Sequence, residues 1–297
     1  MTRKADRRSV LLGFAATGVV VSACEPMSPM KAEAVDHALD LADLEARHGG
    51  RIGLTIQGVD RASWRGAERF LYCSTFKLFL AAATLQRVAQ NTENLARAIP
   101  INAADILPHS PVTETAVGAT MTIMQLCKST VEVSDNGAAN ILIREFGGLD
   151  AWRAWYPSIG DGVTRVDRLE PELNLADGDR DTTTPDQTIA NLSHVLRNDP
   201  LTRGMPPYLL SWLLASPTGA KRIKAALAPG YLAMHKTGTS GRGQANDIGQ
   251  IQTPDRKGVL IAVYFEGPSS ASADQLDAVI ADATRRALMA LGHDVAA

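Results

Sequence analysis

The chain has 297 residues, of which 45% are hydrophobic and 21% are charged, and its formal net charge is −2. This length accommodates one large domain or two intermingled ones, and the composition is ordinary for a soluble globular protein. The small net charge gives no reason to expect a nucleic acid or an acidic membrane as a partner, and the histidines match neither H-x-H-x-D nor H-E-x-x-H, so we expect no metal site.

Residues 1–24 have the organisation of an export signal. The apolar run Val10–Val21 is too short to span a membrane and follows four basic residues, Arg3, Lys4, Arg7 and Arg8. The pair Arg7-Arg8 resembles a twin-arginine signal, and Val21-Ser22-Ala23-Cys24 resembles a bacterial lipobox, whose cysteine is lipidated. The alternative is a plain cleaved signal in which Cys24 is incidental. We therefore expect a periplasmic protein, attached to a membrane only if Cys24 is lipidated.

The next residues predict a surface helix followed by two strands. Within residues 33–47 one stripe of apolar residues has helical spacing: Val35, Ala38, Leu39 and Ala42. Ile52, Leu54 and Ile56 then alternate with small or polar residues, which is the pattern of a half-buried strand. A turn at Gly58-Val59-Asp60 leads to a second strand around Ala62–Ala67.

The stretch Leu71–Arg87 predicts a helix that is buried on nearly all sides from Phe76 onward. Ser74 falls at its N-terminus, where unpaired N–H groups and the helix dipole favour negative charge. Lys77 lies one turn further along the same face, and desolvation lowers the pKa of a lysine in such a place. Ser74 is therefore a candidate nucleophile beside its proton acceptor. The alternative is an N-capping serine and a lysine that reaches solvent.

Cys73 and Cys127 are the cysteines that remain if Cys24 is processed. They could form a disulfide, and the sequence does not decide between a disulfide and free thiols. Because Cys73 directly precedes Ser74 at the start of a buried helix, a free, packed thiol is the simpler prediction.

The middle of the chain is mostly helical. Thr120–Lys128 and Asp135–Glu145 predict short helices. Residues 160–185 form a polar loop of a length that is usually functional or disordered. Thr184-Pro185-Asp186-Gln187 then predicts the start of another helix, with a threonine cap and proline in the first turn.

The last third of the chain returns to strands. We predict a short strand at Tyr231–Met234 and a central, fully buried strand at Gly258–Phe265. Ser272 caps a final amphipathic helix. Strands near both ends with helices between them indicate a sheet domain built from both termini and a helical domain inserted into it.

Four motifs occur in order along the chain: Ser74-Thr75-Phe76-Lys77, Ser134-Asp135-Asn136, Glu170-Pro171-Glu172-Leu173-Asn174 and Lys236-Thr237-Gly238. Each alone is weak, but together and in this order they are specific. Over essentially its whole mature length, the chain resembles the class A serine β-lactamases.

The resemblance implies an α+β fold of the β-lactamase/transpeptidase-like type, with an antiparallel five-stranded sheet flanked by helices and an inserted all-α domain. Residues 25–72 and 217–297 would form the sheet domain. Residues 73–216 would form the helical domain, including an Ω-loop at residues 165–183. The implied activity is hydrolysis of β-lactam antibiotics, penicillins and cephalosporins, by a monomer that needs no cofactor.

Acylation roles follow from the same resemblance. Ser74 Oγ would attack the lactam carbonyl, and the backbone N–H groups of Ser74 and Thr239 would form the oxyanion hole. Ser134 would pass a proton to the departing nitrogen, flanked by Lys77 and Lys236. The alternative for Ser134 is an N-cap, since Ser-Asp-Asn opens a predicted helix.

Deacylation and the Ω-loop depend on the third motif. Glu170 and Asn174 would position the water that hydrolyses the acyl-enzyme, although a glutamate in a loop is ordinarily only solvated. Whether Glu170 or the lysine is the base in acylation is disputed for this family. Arg168 and Asp181 would form the salt bridge that holds the loop, and a cis bond would precede Pro171. The loop is about two residues shorter after Asn174 than in common family members.

Substrate contacts are also implied by the resemblance. Asn136 would bind the substrate's side-chain amide, and Lys236, Thr237, Gly238, Thr239 and Ser240 would line the strand beside it. Many family members bind the substrate carboxylate with an arginine where this chain has Ala245. Arg222 matches the version that places the arginine on a preceding helix; its alternative is a surface cation beside Lys221 and Lys224. His109 would replace an aromatic residue at the mouth of the cleft, or would simply be a solvated loop residue.

Two family disulfides are ruled out by the residues present. Carbapenem-hydrolysing members often link the cysteine before the nucleophile to one near position 240, where this chain has Ser240. The common partner of Cys127 is replaced by Ala81. Two other functions use the same nucleophile motif. A peptidoglycan DD-peptidase would leave Glu170 and Asn174 unexplained, and a β-lactam-binding sensor would need a signalling or transmembrane segment.

Overall fold

Strands from both ends of the chain meet in one sheet. The computed structural model describes residues 34–198 and 208–296. Its strands are β1 Asp36–His37, β2 Arg51–Gln57, β3 Arg61–Trp64, β4 Phe70–Leu71, β5 Ala98–Pro100, β6 Thr120–Thr122, β7 Thr182–Thr183, β8 Leu232–Thr239, β9 Gln244–Gln252 and β10 Gly258–Glu266. The predicted export signal, residues 1–24, lies outside the described residues.

The helices pack on both sides of this sheet and beside it. They are α1 Ala42–His48, α2 Phe76–Ala89, α3 Ile123–Glu132, α4 Asn136–Phe146, α5 Leu149–Ser158, α6 Pro185–Ser193, α7 Tyr208–Ala215, α8 Ile223–Ala226 and α9 Ala273–Ala290. Single 3₁₀ turns form at Cys73–Thr75 and Glu172–Asn174, among others. Across residues 34–198 and 208–296, none of the helices combines the length and the hydropathy that crossing a bilayer requires.

The main sheet is six-stranded and mixed, with the order β1-β3-β2-β10-β9-β8. The prediction of a five-stranded antiparallel sheet was therefore wrong, because β1 adds a parallel edge strand beside β3. This strand has two polar residues, too few to show an alternating pattern. It is held by an ion pair between Asp36 Oδ2 and Arg61 Nη1, 3.0 Å apart, and by the Arg61 N–H donating to Val35 O.

The first predicted helix is also corrected. Helix α1 begins at Ala42, because the residues before it enter the strand β1. Val35, which the helical spacing placed in a buried stripe, is 54% exposed, whereas Leu41 and Leu44 are fully buried. The helix predicted over Thr120–Lys128 is corrected in the same way. Thr120–Thr122 form strand β6, and α3 begins at Ile123, where Thr122 caps it by accepting from the Gln125 N–H.

Two apolar clusters lie on the two faces of the sheet. Strand β10 shows why its sequence is apolar throughout: Leu260, Ala262 and Tyr264 join the cluster around α2, and the alternate residues join the cluster under α1 and α9. A strand buried on both faces needs no polar positions. Helix α2 is buried from Phe76 to Leu85, as predicted. The predicted domain boundaries, residues 25–72 with 217–297 and residues 73–216, stay a prediction.

Candidate active site

The turn that carries Ser74 is clamped between α2 and strand β8. Cys73 has a left-handed backbone (φ 47°), which is uncommon for a residue with a side chain and persists only where the surrounding contacts hold it. A Cβ on Gly238 would lie 2.9 Å from Tyr72 O and 3.2 Å from Ser74 N. Only glycine therefore lets β8 approach the backbone of this turn so closely.

A side chain from the neighbouring strand completes the clamp. Asn246 is buried, and its Nδ2 donates to Leu71 O at 2.8 Å and to Tyr72 O at 3.1 Å. These carbonyl groups lie just before Ser74, at the end of strand β4 and in the turn that follows it. The two strand residues together fix the position of the backbone from which Ser74 projects.

Lys77 is fully buried at the start of α2 and contacts oxygen atoms from three segments. Its Nζ lies 3.0 Å from Ser74 Oγ, 2.8 Å from Ser134 O and 3.0 Å from Glu170 Oε1, and it also donates to Asn136 Oδ1. Burial lowers the pKa of Lys77, and the charge of Glu170 opposes that effect. The lysine that reaches solvent, the alternative for this motif, is thus wrong.

Ser134 lies between two buried ammonium groups. Its Oγ is 3.3 Å from Lys77 Nζ and 3.1 Å from Lys236 Nζ. Its backbone is left-handed (φ 60°), and the cap of α4 is Asp135, whose side chain accepts from the Ala138 N–H. Burial, together with the charge of Lys77, holds the pKa of Lys236 well below its ordinary value. A hydroxyl in this position can exchange protons with either lysine.

Glu170 brings a buried carboxylate to Ser74. Ser74 Oγ lies 3.3 Å from Glu170 Oε1, and Asn174 Nδ2 donates to Glu170 Oε2 at 2.6 Å. The Glu170-Pro171 peptide bond is cis. Asn140 on α4 brackets the backbone of Glu170, since its Nδ2 donates to Glu170 O at 2.8 Å and its Oδ1 accepts from Glu170 N at 3.1 Å.

The loop that carries Glu170 is tied by Asp181. Its Oδ2 accepts from Arg168 Nε at 2.6 Å, and Asp181 is fully buried. The other carboxylate oxygen accepts from the backbone N–H groups of Asp167 and Arg168 and from Tyr72 Oη at 3.0 Å. The same carboxylate therefore joins both ends of the loop to the segment before Ser74.

Arg222 lies under the outer edge of strand β8. Its guanidinium donates to Gly238 O at 2.9 Å and Thr239 Oγ1 at 2.8 Å, and Nε pairs with Asp277 Oδ1 at 2.6 Å. Thr237 Oγ1 donates to Thr218 Oγ1 at 3.0 Å. The arrangement brings the Arg222–Asp277 ion pair and two threonine hydroxyl groups to a single edge of the strand, where the guanidinium can bind an anionic group.

These groups border one cleft of about 380 Å³. Its walls include Ser74, Ser134, Asn136, Asn174, Arg222, Thr237, Gly238 and Thr239, with His109 at the rim. The ring of His109 is exposed, and its Nε2 lies 2.9 Å from Val133 O. Ser240 lies apart, because its Oγ contacts Gln244 Oε1 and accepts from Arg242 N in the turn between β8 and β9.

The remaining ionisable candidates do not form a further centre. Cys73 and Cys127 are free and buried. Burial raises the pKa of the Cys127 thiol to about 12 and raises that of Cys73 as well. Within the described part of the chain, no group of three or more His, Cys, Asp or Glu side chains could hold a metal ion.

Comparison with known proteins identifies the family. A family model described as the β-lactamase enzyme family matches residues 37–291. The solved structure of an ancestral class A β-lactamase has 45% sequence identity and a TM-score of 0.79, over 84% of this chain and 98% of the other. The chain belongs to the class A β-lactamases.

Curated relatives support the same family. This β-lactamase is 38% identical to the β-lactamase ROB-1 of Haemophilus influenzae over 75% of its own length and 74% of the relative's. It is 34% identical to the β-lactamase CTX-M-8 of Citrobacter amalonaticus over 95% of its own length and 98% of the relative's. The similarity therefore covers nearly the whole chain rather than one motif.

Several residues that shape the site of this β-lactamase were not found from the sequence. Asn140, Tyr72, Asn246, Thr218 and Asp277 lie outside the four motifs. Asn140 occurs one turn after Asn136 on α4, so its spacing could have placed it on the same helix face. The partners of the other four lie on distant segments, and a single sequence carries no signal for such pairs.

Proposed function

We propose that this β-lactamase hydrolyses penicillins and cephalosporins through an acyl-enzyme formed on Ser74. The observation that carries the proposal is the position of Ser74 Oγ, which lies 3.0 Å from Lys77 Nζ and 3.3 Å from Glu170 Oε1. A nucleophile within hydrogen-bonding distance of groups that can take its proton is the arrangement that acyl transfer requires.

In acylation, Ser74 Oγ attacks the lactam carbonyl carbon and its proton is accepted within the Lys77–Glu170 pair. The backbone N–H groups of Ser74 and Thr239 stabilise the oxyanion. The C–N bond of the lactam then breaks, and the nitrogen receives a proton from Ser134 Oγ. Ser134 Oγ regains a proton from Lys77, which passes on the proton released by Ser74, and Lys236 contacts the same oxygen from the other side.

In deacylation, a water held by Glu170 and Asn174 attacks the ester carbon while Glu170 takes its proton. The bond between the acyl carbon and Ser74 Oγ then breaks, and Ser74 Oγ receives that proton through the Glu170–Lys77 pair, which contacts it. Asn174 Oδ1 is buried with no hydrogen-bond partner among the described residues. A free acceptor beside the Glu170 carboxylate supports a water position between them.

Substrate recognition is proposed for the edge of β8. Asn136 binds the side-chain amide of the substrate, while Arg222, Thr237, Thr239 and Lys236 bind its carboxylate. Gly238 leaves room for the substrate against the strand, and His109 packs at the rim. Ser240 would contribute only at the outer end of the strand.

Export and attachment complete the proposal. Residues 1–24 would direct the protein to the periplasm, where it acts as a monomer, with Cys24 as the sole point of membrane attachment. Fractionation of cells that produce the full chain or its Cys24→Ser variant tests this point. Release of the variant alone from the membrane fraction supports lipidation, and equal solubility of both contradicts it.

Turnover tests the function itself. Protein lacking residues 1–24 is mixed with an excess of a chromogenic cephalosporin, and product formation and intact mass are followed together. Many turnovers per enzyme are expected, with little adduct at the end. One equivalent of stable adduct without further turnover would instead support a DD-peptidase or a β-lactam-binding sensor.

A further inference from the structure

A buried histidine–aspartate pair lies on the face of the sheet opposite Lys236. His235 on β8 is 1% exposed, Asp247 on β9 is fully buried, and His235 Nδ1 lies 2.8 Å from both oxygen atoms of Asp247. Asp247 pairs directly with Thr237 across the two strands. Because side chains alternate along a strand, His235 and Thr237 share one face and Lys236 lies on the other.

The hydrogen bonds of the His235 ring are directed at a single partner. A proton on His235 Nδ1 would be donated to the Asp247 carboxylate, whose oxygen atoms accept hydrogen bonds. The other ring nitrogen, Nε2, is buried without a hydrogen-bond partner among the described residues. The polar chemistry of the ring is thus directed wholly at Asp247. A ring with this single partner can fix the orientation of the Asp247 carboxylate.

The turn that leads to Arg222 lies directly on this pair. A Cβ on Gly219 would lie 2.5 Å from Thr237 Cγ2, 2.9 Å from His235 Cε1 and 3.4 Å from Asp247 Oδ2. Gly219 also has a left-handed backbone (φ 67°), and its carbonyl accepts from the Arg222 N–H at 3.0 Å. The turn is therefore seated on three side chains of the strand face.

Asp247 also binds the first residue of the helix that follows. Its Oδ2 accepts from the Ile223 N–H at 3.3 Å, so the carboxylate that His235 orients holds the residue next to Arg222. Thr218, on the same turn, accepts a hydrogen bond from Thr237 Oγ1. Both cleft-facing groups at this edge, the Arg222 guanidinium and the Thr237 hydroxyl, are joined to the pair through one turn.

Asp247 also affects the electrostatics of the cleft, because its charge acts on Lys236. Lys77 is paired with Glu170, and Arg222 with Asp277. Lys236 contacts only Ser134 Oγ and Thr237 O among the described residues, and it has no carboxylate in contact. The charge of Asp247, on the other side of the strand, raises the pKa of Lys236 against the effect of burial.

We infer that His235 and Asp247 form a positioning pair for substrate-carboxylate recognition. His235 orients Asp247, and Asp247 holds the turn that places Arg222 and Thr218 at the edge of β8. Neither residue touches the substrate. The inference rests on the proposed function, since it assigns the device that aligns the proposed carboxylate site.

The test compares a penicillin with its methyl ester, which has the same lactam ring but no negative charge. His235→Leu keeps the approximate volume and removes the donor, and His235→Asn keeps a donor near the position of Nδ1. We expect His235→Leu to lower kcat/KM for the acid about tenfold, mainly through KM, and to change the ester less than about threefold. His235→Asn should recover most of the loss.

Asp247→Asn serves as a second, nearly isosteric variant if His235→Leu does not fold, and it should show the same preference for the ester. Thr188→Val is the matched control, because it removes a comparable buried hydrogen bond, to Tyr264 Oη at 2.8 Å, away from the cleft. It should leave the ratio of acid to ester unchanged.

Equal losses on acid and ester in His235→Leu and Asp247→Asn would overturn the positioning role and leave only a structural one. Failure of the unaltered protein to turn over the acid would instead contradict the proposed function. The two failures are therefore distinguishable in a single set of assays.

Discussion

Ser74 Oγ and Glu170 Oε1 lie 3.3 Å apart although 96 positions of the chain separate the two residues. Ser74 belongs to the turn before α2, and Glu170 belongs to a loop held by Asp181. In the proposed mechanism, this contact joins the acylation step and the deacylation step in one site. The position of the carboxylate depends on the residues that hold its backbone.

Asn140 should control deacylation through that backbone. Its side chain both donates to and accepts from the peptide groups of Glu170. We predict that Asn140→Leu slows deacylation about 10- to 100-fold, because small displacements of a reacting group have effects of this size. Acylation should change less. Rapid-mixing measurements would show a larger burst and a slower steady state, and a uniform loss in both phases would contradict the prediction.

Gly238 should be required for close approach of β8 to the nucleophile. A Cβ at this position would contact Tyr72 O at 2.9 Å, so Gly238→Ala must displace the strand or the turn. We predict a fall in kcat/KM of about 100-fold, since the oxyanion hole depends on both segments. Gly162→Ala is the control, because a Cβ there meets nothing within 4 Å. Wild-type activity in Gly238→Ala would show that the strand can shift freely.

The buried amino group of Lys236 should lower the free energy of unfolding, although the side chain supports activity. Burial holds the pKa of Lys236 in the folded protein well below the ordinary 10.5. Between the folded-state pKa and 10.5, the unfolded state binds more protons, so the free energy of unfolding rises with pH. We predict that Lys236→Met unfolds at a temperature no lower than wild type at pH 7, with kcat/KM reduced by at least about 100-fold.

The pH dependence separates this explanation from a packing effect. As the pH rises from 7 towards 10, the burial penalty of Lys236 is relieved in wild type, so its melting temperature should gain on that of Lys236→Met. Thermal unfolding of both proteins at the two pH values measures the difference. A difference in melting temperature that stays the same at both pH values would contradict the burial penalty and leave only a packing effect.

The sequence was most informative where local patterns carry the structure. The helix from Phe76, the cap at Thr184 and the final helix after Ser272 were all predicted and are present. Their signals are apolar periodicity and capping residues within one segment. The edge strand Asp36–His37 was missed because it has two polar residues and depends on an ion pair with distant Arg61.

The same distinction applies to the site. The four motifs each lie within five consecutive residues, and the structure brings members of all four to one place. Asn140, Asn246 and Asp277 act on partners from other segments, so their geometry follows only from the fold. The simpler prediction for the two thiols is confirmed, since Cys73 and Cys127 are free and buried, although the sequence alone did not exclude a disulfide.

The most direct test of the account is the fate of the acyl-enzyme when Glu170 is removed. Purified Glu170→Ala is mixed with a penicillin and its intact mass is followed, with Ser74→Ala as the control. We predict that Glu170→Ala accumulates one covalent adduct on Ser74 and turns over slowly, whereas Ser74→Ala shows neither adduct nor turnover. Turnover by Glu170→Ala at the wild-type rate, without an adduct, would contradict the assignment of Glu170 as the deacylation base.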